Sequence, residues 1–412
     1  MDWALESPEG NKQSPGGDSQ TLQGERQWDD LPKWLRSGEG IYWVSGKAGS
    51  GKSTLMKRLV QHSRTGDLLL EWASSRGRSY NLIKFFFSCH GTPEQQSQSG
   101  LSRSLLHQIL SRHPEAIPDS LPGMWKELRQ SVEGKRVGLP PLAETRHAFQ
   151  VLASKSAELG AFCFFIDSLD EFAGSFWDAI AFIKDLTANP GFKVVVSSRP
   201  ISECIAGFED YPKLRLQDLT RQDIANYVHD TITGHKYMKR LTNRYPTQAQ
   251  RLINDIVDKS SGVFLWVVLA CRSLLSGFAG HDQLADLERR VEELPPELGE
   301  MFKRMLSKID KRRREQGAFM LRVCHTIDSA RRNDFLIRDS VLAIGLKSLG
   351  LAMIASVGNG QHDGTHDQLL SFVQRRERCE EFEGWLTSRC GGLLELRQHG
   401  LGDCFCQGEG II

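Results

Sequence analysis

Between residues 46 and 53 the chain reads Gly46-Lys47-Ala48-Gly49-Ser50-Gly51-Lys52-Ser53. No other segment restricts the fold as much. Glycines at these spacings let successive backbone N–H groups turn inward as a nest for an anion, at the N-terminus of a helix. The pattern G-x-x-x-x-G-K-[ST] makes a phosphate-binding loop, or P-loop, where a strand enters it and a helix leaves it. Both flanks are legible. Ile41-Tyr42-Trp43-Val44 is short and apolar, as a buried parallel strand is. From Ser53 onward Leu55, Met56, Leu59 and Val60 fall on one helical face. In that setting Lys52 reaches the β- and γ-phosphates of a nucleotide and the Ser53 hydroxyl binds Mg2+, with Thr54 closing the nucleotide-binding segment.

A loop of this kind belongs to an α/β fold, and the rest of the first half supplies one. Apolar runs predict strands over 83–87, 162–166, 193–197 and 213–216, separated by helical patterns over 100–111, 144–159 and 175–187. Strands alternating with helices predict a parallel sheet covered on both faces. Residues 1–27, rich in Gly, Ser, Pro, Gln and acids, read as a flexible leader. The nucleotide-binding domain then spans 28–219 and a helical domain 220–310. Residues 311–412 read as a helical segment with a partial winged-helix-like character. No solenoid or propeller period is present.

Two further segments carry chemistry. The 162–166 strand runs into Asp167-Ser168-Leu169-Asp170-Glu171. Asp167, at the carboxyl end of a buried strand, is the second Mg2+ contact, and Asp170 and Glu171 are placed to orient or deprotonate an attacking water. Taken alone, such acids also cap a following helix; the P-loop decides for the first reading. The 193–197 strand ends in Ser197-Ser198-Arg199-Pro200. Polar groups there sense the γ-phosphate and Arg199 stabilises its charge, although an arginine after a strand is more often a solvated surface residue.

Composition excludes other classes. Lys and Arg total 52 against 51 Asp and Glu, so no net field argues for nucleic acid or an anionic membrane as a partner. The most apolar run, 263–271, is far shorter than the roughly 20 residues of a spanning helix and reads as a core helix. The first residues lack a secretory pattern, and nine scattered cysteines predict reduced thiols and a cytoplasmic location. Cys390, His399, Cys404 and Cys406 fit no ordinary zinc spacing.

The sets 46–54, 167–171 and 197–200 together resemble the NACHT family of signal-transduction NTPases, most closely fungal NACHT proteins with a nephrocystin-3-like nucleotide domain. The likeness runs from about Trp28 to Asp310. It implies a nucleotide-binding domain, a helical domain and a winged-helix-like segment. It also implies an NLR-like switch that holds ADP when closed, exchanges it for ATP, self-associates through the nucleotide domain and hydrolyses slowly. No Asn-Lys-x-Asp guanine motif follows the loop, and the implied nucleotide is ATP or ADP rather than GTP. The sequence departs from the family in three places. No effector domain precedes the loop, no sensor repeats follow, and Gly262-Val263-Phe264 keeps the glycine but not the proline of a base-contacting Gly-x-Pro turn. The ending after 386–395 reads as truncated. Beside the switch stand two alternatives: a binding-only fragment of such a protein, and a conventional P-loop ATPase.

Overall fold

In the computed structural model, residues 1–6, 28–89, 91–130, 138–189, 191–333, 377, 385–386, 388–390 and 393 are described. The chain divides into two compact units. One holds 1–89 and 93–294, and the other holds 90–92 and 295–412.

The first unit is built on five parallel strands: β1 (Gly40–Ser45), β2 (Tyr80–Phe86), β3 (Ala161–Asp167), β4 (Phe192–Ser198) and β5 (Lys213–Arg215). Their order across the sheet is β2-β3-β4-β1-β5. The register pairs Val44 with Ser197 and Ser45 with Ser198, and on the other side of β4 pairs Ile166 with Val196. Consequently β1, β3 and β4 all end along one edge, and whatever follows them converges there.

Strand alternation sends successive residues to opposite faces. Tyr42, Val44, Cys163, Phe165 and Val195 face one side with α1 (Leu31–Ser37), α2 (Lys52–Gln61) and α3 (Ser63–Ser74). Ile41, Trp43, Phe162, Phe164, Val194 and Val196 face the other with α4 (Gln98–Leu110), α5 (Leu142–Ser154) and α6 (Phe176–Thr187). Strands β3 and β4 are buried along their full length. That is why they read as continuous apolar runs rather than alternating ones. Asp30 caps α1 by accepting from Lys33 N–H at 2.8 Å, with Pro32 in the first turn where its missing N–H costs nothing.

The leader expected over 1–27 is corrected at its start. Residues 2–5 form a short 3₁₀ turn whose Ala4 and Leu5 are buried with Leu31 and Leu35. The Met1 amine lies 3.3 Å from Asp223 Oδ1 and the Trp3 indole N–H donates to Asp223 Oδ2 at 2.7 Å. Two apolar side chains and an indole anchor give this segment enough burial to offset the entropy of ordering it. Residues 7–27 lie outside the described residues.

Beyond the sheet the same unit continues with helices only, among them α7 (Arg221–Val228), α8 (Pro246–Lys259), α9 (Phe264–Ala279) and α10 (Leu284–Glu292). The apolar 263–271 run is the buried start of α9, with Trp266, Val267, Ala270 and Cys271 in the core. The second unit contributes α11 (Leu298–Ser307) and α12 (Lys311–Asn333). His399, Cys404 and Cys406, and the winged-helix-like character expected late in the chain, lie outside the described residues. No helix among the described residues is long and apolar enough to cross a membrane.

Candidate nucleotide-binding site

The turn from β1 into α2 is built by its glycines. Gly49 and Gly51 take φ of 70° and 97°, a region that costs a side-chain-bearing residue about 1–2 kcal/mol. Gly46 is crowded: a Cβ there meets Ser50 Oγ at 2.6 Å and Lys52 Cγ at 3.1 Å. Gly46 N–H donates to Ser198 O at 3.3 Å, tying the loop's first residue to the end of β4. Lys47, Ala48, Gly49 and Thr54 are exposed, and Ser50 is fully buried.

Lys52 is only 8% exposed, and its ammonium curls back to donate to Gly46 O at 2.7 Å and Lys47 O at 3.1 Å. Burial pushes its pKa down, and the negative charge of Asp170 works against that fall. The ammonium thus sits inside the loop on the loop's own carbonyls. Ser50 Oγ is buried without a hydrogen-bond partner among the described residues. An orphaned hydroxyl in a nest of backbone donors fits a ligand that brings acceptor oxygens, as a phosphate does.

At the ends of β3 and β4 a small polar network forms. Ser197 Oγ–H donates to Asp167 Oδ1 in a short bond, Ser168 Oγ–H donates to Asp167 Oδ2 at 3.2 Å, and Ser168 N–H donates to Ser197 Oγ at 3.0 Å. The Ser53 and Ser168 hydroxyl oxygens are 3.3 Å apart. The expected Mg2+ ligands, Ser53 and Asp167, are therefore joined through one intervening hydroxyl. A hydroxyl and a carboxylate are hard oxygen donors of the kind Mg2+ takes alongside phosphate oxygens, so the residues present fit that ion.

The two remaining acids are held differently. Asp170 receives Arg199 on both oxygens: Arg199 N–H donates to Oδ1 at 2.9 Å and Arg199 Nε lies 2.9 Å from Oδ2. Glu171 Oε2 accepts from the backbone N–H of Cys89 at 2.8 Å, on the far side of β3 from β4. Residues 46–54, 167, 170, 171 and 199 thus gather at one sheet edge, with Asp170 and Arg199 paired to each other and Glu171 apart.

Sequence reading missed two contributors. Ser168 lies between acids and carries no signal of its own. The Cys89 backbone donor carries no side-chain signal at all. A third contributor lies at the segment that the resemblance singles out through Gly262-Val263-Phe264: Leu265 N–H, at the start of α9, donates to Gly49 O at 3.0 Å and Lys47 Nζ reaches Ser261 O at 3.5 Å. Beside it a cavity of about 430 Å³ is lined by Lys47, Arg215, Gln217, Arg221, Ser261 and Gly262, among others. Gly262, at φ 76°, has no room for a Cβ, which would lie 2.0 Å from Gln217 O.

A strand leading to a glycine nest, a buried lysine, and an acid two strands away on a parallel sheet of this order leave one fold. It is that of a P-loop NTPase. The family model described as Nephrocystin 3, N-terminal, matches residues 22–199, a little under half of the chain and ending at Arg199. No curated protein matches. Among solved structures, the Drosophila ORC bound to DNA is similar at TM-score 0.35 and 10% identity, covering 89% of this chain and 77% of that one. The Cdc6p protein of Pyrobaculum aerophilum is similar at 0.32 and 11%, with 89% and 84% covered. A Walker-type ATPase of Pyrococcus abyssi gives 0.31 and 13%, with 85% of each chain covered. At such scores these likenesses carry no argument, and the P-loop NTPase fold of this chain rests on its own sheet and loop.

Proposed function

We propose that this chain is a nucleotide-dependent switch of the NACHT type, acting in the cytoplasm in an NLR-like signalling or stress response. It binds ATP or ADP with Mg2+, hydrolyses ATP slowly, and self-associates through the nucleotide-binding domain in one nucleotide state. The observation that carries this reading is that the site's charged groups are already satisfied by protein partners. Lys52 sits on Gly46 and Lys47 carbonyls, Asp170 on Arg199, and Glu171 on Cys89 N–H. A phosphate chain can recruit Lys52 and Arg199 only by exchanging those bonds. Entry of nucleotide is thereby linked to rearrangement at the ends of three strands, and through Gly49 to the start of α9.

In this reading the loop N–H groups and Lys52 hold the phosphates, and Ser53 and Asp167 hold Mg2+, which when bound neutralises phosphate charge. Asp170 or Glu171 positions the water, and Arg199, freed from Asp170, meets the γ-phosphate. The cavity beside Lys47 and Gly262 has the place and size for the base. The presence of both Asp170 and Glu171 supports slow hydrolysis over a binding-only fragment. Charge balance supports a nucleotide rather than nucleic acid as the main partner.

The test measures the nucleotide carried by purified protein, its turnover, and its mass in solution with ADP or a non-hydrolysable ATP analogue. The switch predicts co-purified ADP, turnover far below the roughly 10 s⁻¹ of an ordinary enzyme, and a larger assembly with the ATP analogue. Asp170→Ala should lower turnover while keeping the nucleotide. Fast turnover with an unchanged mass in both states sinks the proposal.

A further inference from the structure

Ser168 stands in the left-handed region, at φ 57° and ψ 47°, and is one of three non-glycine residues with positive φ among the described residues. That conformation strains a serine and leaves a glycine unstrained. The side chain is buried and all its bonds are within the polar network at the ends of β3 and β4. Strain at a buried hydroxyl beside the metal-binding pair asks what the hydroxyl does.

Asp167, as a carboxylate, only accepts. Its Oδ1 takes the Ser197 proton and its Oδ2 takes the Ser168 proton. A serine has one proton, so Ser168 has none left for Ser53. In the 3.3 Å contact between the two hydroxyls Ser53 must therefore be the donor and Ser168 the acceptor. With its proton fixed toward Ser168, Ser53 keeps its lone pairs for the space in front of the loop. A hydroxyl that ligates a cation must present a lone pair and not a proton. The Ser168 N–H to Ser197 bond at 3.0 Å ties the backbone of the same residue into this arrangement.

We infer that Ser168 is a positioning residue for Mg2+: it accepts the Ser53 proton and holds Asp167, so that both ligands are oriented before the ion arrives. This rests on the nucleotide-binding reading above. Removing such an outer partner of a metal ligand lowers metal affinity by about 10- to 100-fold.

The test is the affinity of a fluorescent ADP for wild-type, Ser168→Gly and Ser168→Ala proteins, each with Mg2+ and with EDTA, beside urea unfolding. Glycine suits the left-handed backbone, so Ser168→Gly should unfold at the same urea concentration as wild type or higher. Its affinity in EDTA should stay within about twofold, while the gain conferred by Mg2+ falls at least about tenfold. Ser168→Ala should show the same loss of Mg2+ linkage with lower stability. If Ser168→Gly keeps the full Mg2+ gain, or loses affinity equally with and without the ion, the assignment is overturned. If wild type itself binds no ADP or shows no Mg2+ gain, the nucleotide reading fails first and takes the assignment with it.

Discussion

Two lysines are buried at opposite ends of the same sheet, and they make opposite use of burial. Lys52 lies past the carboxyl end of β1 and is held by two loop carbonyls. Lys193 lies near the start of β4, fully buried, with its ammonium 3.8 Å from the centre of the Trp72 ring and 4.9 Å from that of Trp34. It donates to Leu35 O at 2.6 Å and to Trp34 O at 3.4 Å. Burial lowers the pKa of both, that of Lys193 to about 8. The difference is in the neighbours. Asp170, Asp167 and Glu171 favour the charge of Lys52, and Arg199 opposes it. Lys193 has two aromatic faces and the carboxyl end of α1, where a cation is favoured by the helix dipole. Partners of the first kind can be exchanged for a ligand's oxygens. Those of the second kind lie inside the core, away from any ligand, and the lysine serves to fasten α1 to the sheet.

Substitution should separate the two. Lys52→Ala is expected to lower ATP turnover by two to three orders of magnitude, since in the proposed function it removes the cation that meets the phosphates. Its urea midpoint should fall less than that of Lys193→Ala, because water reaches the exposed loop at 47–49 and can serve the freed carbonyls, and an equal loss of stability would merge the two lysines into one class. Lys193→Ala is expected to cost about 3 kcal/mol in urea unfolding, through the cavity it leaves and two carbonyls stripped of their donor. Nucleotide affinity of the folded fraction should stay within twofold.

The pH profile sharpens the contrast further. Because the folded pKa of Lys193, about 8, lies below the ordinary 10.5, the folded chain gives up this proton first. Stability from this group therefore rises as pH climbs from about 8 to about 10.5, by up to about 3 kcal/mol. Cys163, its registered neighbour on β3, has its pKa pushed up to about 12 and acts in the opposite sense: stability held below pH 9 is lost as pH rises toward about 12. The difference between wild-type and Lys193→Met unfolding curves isolates the lysine. It should grow between pH 8 and 10, and a flat difference would place the ammonium in water. The smallest effect belongs to Arg199, whose side chain is 51% exposed. Arg199→Gln should change stability by less than about 1 kcal/mol, while turnover falls about tenfold or more if the arginine leaves Asp170 for the γ-phosphate.

Much of this molecule is legible locally. Glycine spacing, the entering strand and the leaving helix gave the phosphate loop, because the backbone conformations a nest requires are available cheaply only to glycine. The apolar runs gave β3 and β4, because a strand covered on both faces must be apolar throughout. The strand expected over 83–87 begins three residues earlier, at Tyr80, where pairing with Ala161 extends it through the polar Asn81. Ladder bonds decided that boundary, and hydropathy does not record them.

Other features needed the assembled sheet. Lys193 reads in the sequence as the polar first residue of a strand, the usual place for a solvated side chain. Its burial depends on α1 and α3 bringing Trp34 and Trp72 over β4 from far away in the chain. The role of Ser168 depends on a left-handed backbone and on a hydroxyl 115 residues away in sequence. The pairing of Asp170 with Arg199, and not Glu171, follows from β4 lying beside β3 on that side. The sequence by itself determined which groups are candidates for phosphate and metal, since that is set by side-chain chemistry and local backbone freedom. Only the tertiary structure decided which of those groups are already spoken for, because hydrogen-bond partners are allotted by strand order and register.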